Sequence, residues 1–131
     1  MRKKNAVSEF TDQRSRLLLK NFRESLARQS KISARKAFQD AVESPAPRFW
    51  VSEARAARVI SMMMAGDDPT PSMSQEKARM YREIFRRVSI LRERWPEASV
   101  GDLVFRVVNQ CAPSSYISVV RARQIIRSLR K

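Results

Sequence analysis

The side chains best suited to chemistry in this chain are cations set at helical spacing. Arg121, Arg123, Gln124, Arg127, Arg130 and Lys131 crowd the C-terminal stretch, and Arg55 and Arg58 stand in a similar setting earlier in the chain. A guanidinium is a planar fork of N–H donors that fits two phosphate oxygens or the O6/N7 edge of guanine, and a glutamine amide fits the N6/N7 edge of adenine. These eight residues are therefore the candidate DNA-binding set. Lys31, Arg35, Lys36, Arg48 and Arg106 lie outside those two stretches and are candidates for phosphate contacts alone, which position a duplex without reading it.

Other chemistry finds few residues to use. The chain has no histidine, one cysteine and two glycines, so a nucleophile–base pair and a glycine-rich phosphate loop are both missing. Asp67 and Asp68 supply too few oxygen ligands for a hard cation, and Glu93 and Glu97 read as helix-surface charges that balance arginines. The expectation is a protein that is not an enzyme, with no metal and no cofactor. A lone Cys111 forms no intramolecular disulfide and suits a reducing compartment.

Charge favours an anionic partner. Across 131 residues, 27 Lys+Arg stand against 13 Asp+Glu, for a net charge of +14, and 20 of the 27 cations are arginine. Residues 1–66 hold 14 cations against 6 carboxylates and residues 67–131 hold 13 against 7, so both halves are basic. Positive charge spread over folded modules draws in polyanions and speeds encounter with them. Double-stranded DNA is the first expectation, with structured RNA the competing polyanion, since a basic helical surface can bind duplex RNA by shape and phosphate contacts. A helical adaptor is a third reading: the Phe49-Trp50 loop and the Met62-Met63-Met64 run would then form a partner-binding surface. No apolar run approaches the length of a bilayer span, and no signal-peptide core follows the basic start. The expected location is cytoplasmic, nucleoid-associated if DNA is the partner, with no membrane partner. A homodimer stays open.

The elements that position these cations come twice. Ser33, Val42, Ala46, Pro47, Ser52, Arg55, Ala56 and Ile60 recur 66 positions later as Ser99, Val108, Ala112, Pro113, Ser118, Arg121, Ala122 and Ile126. Such self-similarity marks a tandem duplication. In the first copy Leu18, Leu19, Phe22 and Leu26 give the apolar stripe of a helix from Asp12 to Gln29. Ser33 caps a second helix carrying Ala34, Ala37, Phe38, Ala41 and Val42 on one side, and Ser52 caps a third with Ala56, Val59, Ile60 and Met63 on one face. Pro45 and Pro47 end the second helix, and Phe49, Trp50 and Val51 are expected to plug the gap before the third.

The second copy repeats this plan: a helix from near Ser74 to Arg94 with Met80, Ile84, Phe85, Val88 and Leu91 inward, one capped by Ser99, and one capped by Ser118 with Ala122, Ile125, Ile126 and Leu129 inward. The reading is an all-α fold built as a tandem duplication of a three-helix, helix-turn-helix-like module. Residues 1–10 form a flexible basic arm, 11–64 the first module, 65–73 a linker with Gly66 as helix stop, and 74–131 the second module. In a helix-turn-helix the last helix enters the major groove. The expected function is therefore that of a double-stranded-DNA-binding regulatory or mobile-element/phage accessory factor, with the third helix of each module in the groove.

Overall fold

The computed structural model describes residues 6–130 and contains six α-helices, in the order α1 (Ala6–Arg28), α2 (Ala34–Glu43), α3 (Glu53–Met64), α4 (Gln75–Arg94), α5 (Val100–Val108) and α6 (Val119–Leu129), with a short 3-10 turn at Thr70–Ser72. The all-helical expectation holds. Of the expected N-terminal arm, residues 6–10 belong to α1, and residues 1–5 lie outside the described residues. Among the described residues no helix is long and apolar enough to cross a membrane.

Local chemistry sets the helix starts. Ser33, Ser52, Ser74, Ser99 and Ser118 are all in extended geometry, and each hydroxyl accepts a hydrogen bond from the amide three residues on. Those bonds satisfy donors that a helix N-terminus leaves free. At the end of α3, Gly66 takes φ +87°, which a side chain would resist. The Gly66 amide donates to the Met63 carbonyl and the Asp67 amide to the Met62 carbonyl, the paired bonds of a Schellman stop.

The helices group into two compact units that the sequence order does not suggest. One unit takes residues up to Ala46 and from Pro113 onward; the other runs from Pro47 to Ala112. The first thus holds α1, α2 and α6, and the second holds α3, α4 and α5. Each unit keeps the first two helices of one repeat and receives the third helix of the other. The contiguous modules expected at 11–64 and 74–131 are not the compact bodies, and the chain passes between units at the repeated Ala46-Pro47 and Ala112-Pro113.

The core of the first unit follows from the apolar stripes. Leu18 and Phe22 of α1, Ala37, Phe38, Ala41 and Val42 of α2, and Ala122, Ile125 and Ile126 of α6 form one buried cluster with Ile117. The rings of Phe22 and Phe38 stack at 4.5 Å between centroids. The Ser115 amide donates to the Val42 carbonyl at 3.1 Å and ties the approach to α6 onto the end of α2. Leu129, expected inward, is exposed because it sits in the last turn of α6, past the packed part of the helix.

The second unit has the same plan. Ala56 and Ile60 of α3 are fully buried, with Tyr81, Ile84 and Val88 of α4 and Val104, Val107 and Val108 of α5. Phe49 is a plug, as its apolar setting predicts, with 0% exposure, but it fills this unit and not a gap between α2 and α3. Its amide donates to the Val108 carbonyl at 3.0 Å. Residues 65–73 are a folded α3–α4 connection inside this unit and not a spacer between modules. Asp68 accepts from the Thr70 amide at 2.9 Å, and Thr70 is buried with its hydroxyl 3.4 Å from Arg82 Nη2.

Candidate nucleic-acid interface

Exposed cations collect on the outer faces of the two third helices, α3 and α6. The faces that bury Ala56 with Ile60, and Ala122 with Ile126, leave Arg55 and Arg58 on α3 and Arg121, Gln124 and Arg127 on α6 in solvent. The first turn of each helix starts at a serine cap, so Arg55 and Arg121 occupy the same place, three residues after Ser52 and Ser118.

Each third helix packs on a first helix, and that sets the local charge. On α4, burial pushes the Tyr81 hydroxyl above its ordinary pKa, while the charges of Arg55 and Arg58 pull the other way. On α1, Arg14 lies close to Arg121. Burial and then the like charge of Arg121 pull its guanidinium below the ordinary arginine value. An arginine remains protonated under such shifts, so both groups stay positive, and the Arg14 Nε is buried without a hydrogen-bond partner.

Among the described residues the carboxylates do not relieve this charge. The ion pairs among the described residues are Lys20 with Glu24, Lys36 with Asp40, and Arg86 and Arg87 with Glu83. Arg55, Arg58, Arg121 and Arg127 are in none of them. Arg121 Nη1 lies 3.4 Å from Gln124 Oε1, a contact between neighbours on one helix face.

Other candidates land elsewhere. Arg123 is half-buried, with its guanidinium 5.4 Å from the Phe38 ring centroid and its Nε buried without a partner, so it faces the core and not the outer row. Arg130 follows α6 and lies over Phe22 at 5.4 Å. Lys131 lies outside the described residues.

Arg48 is not an open phosphate contact. Its Nε donates to the Phe49 carbonyl at 2.9 Å, Nη2 to the Val51 carbonyl at 2.8 Å and Nη1 to Asn109 Oδ1 at 3.3 Å. It clamps the loop that carries Phe49. Lys31, Arg35 and Lys36 are exposed around the start of α2, in the unit that holds α6. Arg106 is exposed on α5, 5.2 Å from the Trp95 ring centroid, in the unit that holds α3.

Arg14 was not legible as a site residue. The repeat places Met80 at its position in the second copy, and α1 read alone shows only another basic side chain off the apolar stripe. Its proximity to Arg121 arises because α6 packs on α1.

A helix-turn-helix needs its second and third helices packed as consecutive elements. Here α2 and α3 lie in different units, as do α5 and α6, with connections of residues 44–52 and 109–118. The cationic faces are present, but on third helices seated against the partner repeat. No family model matches the chain, and no curated protein and no solved structure does either.

Proposed function

We propose that the protein binds double-stranded DNA through the exposed faces of α3 and α6. The observation that carries this reading is the set of solvent-exposed cations on the outer faces of the third helices, Arg55 and Arg58 on α3 and Arg121 and Arg127 on α6, none of them ion-paired among the described residues. Like charges along one helix face repel each other, and a polyanion lowers that energy by placing phosphates against them. The duplication offers two such surfaces in one chain. Arg58, Gln124 and Arg127 extend them along their helices toward phosphates or base edges.

The adaptor reading loses its main anchor, because Phe49 is fully buried and Val51 nearly so.

The test is a titration of nuclease-treated protein with duplex DNA, duplex RNA and heparin over a salt series. Binding is expected to be tighter to DNA, and the log–log salt slope gives the number of phosphates neutralised at about 0.9 per contact. Replacing Arg55 and Arg58, or Arg121 and Arg127, with alanine should each flatten that slope. Arg48→Ala should leave it unchanged, since its guanidinium is tied to the Phe49 and Val51 carbonyls and to Asn109. Equal affinity for DNA and heparin in the wild type and all variants would sink the proposal.

A further inference from the structure

The two repeats form the same groove between the end of their first helix and the second helix, and they line it in opposite ways. In the first unit it measures about 430 Å³ and is lined by Ser25, Arg28, Gln29, Lys31, Lys36 and Asp40 among others. Much of its polar surface is already engaged. Ser25 donates to Asp40 at 2.7 Å, Gln29 donates to Ser25 at 3.1 Å and accepts from the Ser33 amide, and Lys36 pairs with Asp40. In the second unit the groove measures about 460 Å³ and is lined by Trp95, Ala98, Asp102, Leu103, Phe105 and Arg106. By the 66-residue register, Trp95 replaces Gln29 and Phe105 replaces Gln39.

The fold does not require those aromatics, because the first unit forms its groove with Gln29 in the place of Trp95 and carries a glutamine, Gln39, at the register position of Phe105. Yet Trp95 is 39% and Phe105 60% exposed. Both rings line one groove, and aromatic surface gathered in a groove and left in water is suited to binding. The guanidinium carbons of Arg94 and Arg106 lie 5.0 and 5.2 Å from the Trp95 ring centroid. A guanidinium stacked on a ring keeps its N–H edge free for an anion, and neither arginine is ion-paired among the described residues.

We propose that this groove holds an unstacked nucleobase of a single-stranded segment, with the exposed Phe105 ring as the stacking surface, Trp95 at the groove wall, and Arg94 and Arg106, which lie over Trp95, on the flanking phosphates. Aromatic faces beside cations are how single-stranded nucleic acid is held without regard to sequence. Asp102 also lines the groove, and its carboxylate can accept from the exocyclic amine of a base such as cytosine. The inference deepens the nucleic-acid reading by adding a single-stranded site to the duplex surfaces of α3 and α6.

The chain has two tryptophans, so a Trp50→Phe variant leaves Trp95 as the sole tryptophan, reported by excitation at the red edge where tyrosine does not absorb. Titration with an oligodeoxycytidine octamer should change Trp95 emission. Phe105→Ala, at an exposed position that leaves the core intact, should weaken octamer binding about tenfold with duplex affinity unchanged. An unchanged emission, or equal affinity in the Phe105→Ala protein, overturns the proposal. So does an acidic peptide with one leucine that alters Trp95 emission where the octamer does not. Octamer binding that persists while duplex DNA is not bound leaves this site standing and removes the duplex reading alone; the reverse result does the opposite.

Discussion

The Phe49 amide donates to the Val108 carbonyl at 3.0 Å, and its counterpart 66 residues on, the Ser115 amide, donates to the Val42 carbonyl at 3.1 Å. Each bond joins the loop that leads into a third helix to the end of the second helix of the other repeat. The same contact is thus made in both units, and it fixes where α3 and α6 dock.

Phe49 should dominate the stability of its unit. Its side chain is fully buried, whereas Trp50 is half-buried. Truncation of a buried phenylalanine removes its transfer free energy and leaves a cavity. Phe49→Ala is expected to cost about 3–5 kcal/mol, and Trp50→Ala distinctly less. Chemical denaturation of both variants checks this, and an equal loss would contradict the packing described for Phe49.

A fragment of residues 47–112 should fold alone. It is one contiguous piece containing α3, α4, α5 and their buried residues, including Phe49 and Ala112. A fragment of residues 11–64 keeps α1 and α2 but lacks α6, whose Ala122, Ile125 and Ile126 complete that core. Circular dichroism during thermal melting should show a cooperative transition for 47–112 and none for 11–64. A cooperative 11–64 fragment would restore the contiguous module.

Acid should loosen the second unit through Glu83. Hydrogen bonding from Arg86 holds the Glu83 carboxyl below its ordinary value of 4.5; burial opposes this, and Arg87 adds to the lowering. A depressed folded-state pKa gives stability that is complete above the unfolded value. That stability is lost as pH falls below about 4.5 through the folded value. Arg87, bonded to Glu83 at 2.7 Å, also lies 5.1 Å from the Phe49 ring centroid, so the pair supports the plug. Glu83→Gln should cost about 1 kcal/mol or less at pH 7 and flatten the acid limb of a stability–pH curve. An acid limb identical to wild type would assign the pH dependence to other carboxylates.

Much of the fold was written locally. The apolar spacing of Leu18 with Phe22, of Ala56 with Ile60 and of Ala122 with Ile126 marked helices and their inner faces. Serines at 33, 52, 99 and 118 marked starts, and Gly66 marked a stop, because capping and backbone preference act within a few residues. The same periodicity turned Arg58 outward and set Arg121 and Arg127 outward or at the flank of α6, while it left Arg55, which is exposed, on the boundary of its face.

The partner of each third helix was not written in this way. Repetition gives α3 and α6 nearly the same inner face, Ala56 and Ile60 against Ala122 and Ile126, so the apolar pattern is equally satisfied by either pairing. The tertiary structure decides it. Pro45, Pro47 and Pro113 hold the residues before them away from helical geometry, and Ser44 is extended with ψ 148°. The chain leaves each unit at an Ala-Pro step, and docking of Phe49 beneath Val108 then commits α3 to the second repeat. From that exchange come the features no local pattern carried: Arg14 beside Arg121, Arg48 as a loop clamp, Arg123 turned onto Phe38, and a 65–73 segment folded within one unit.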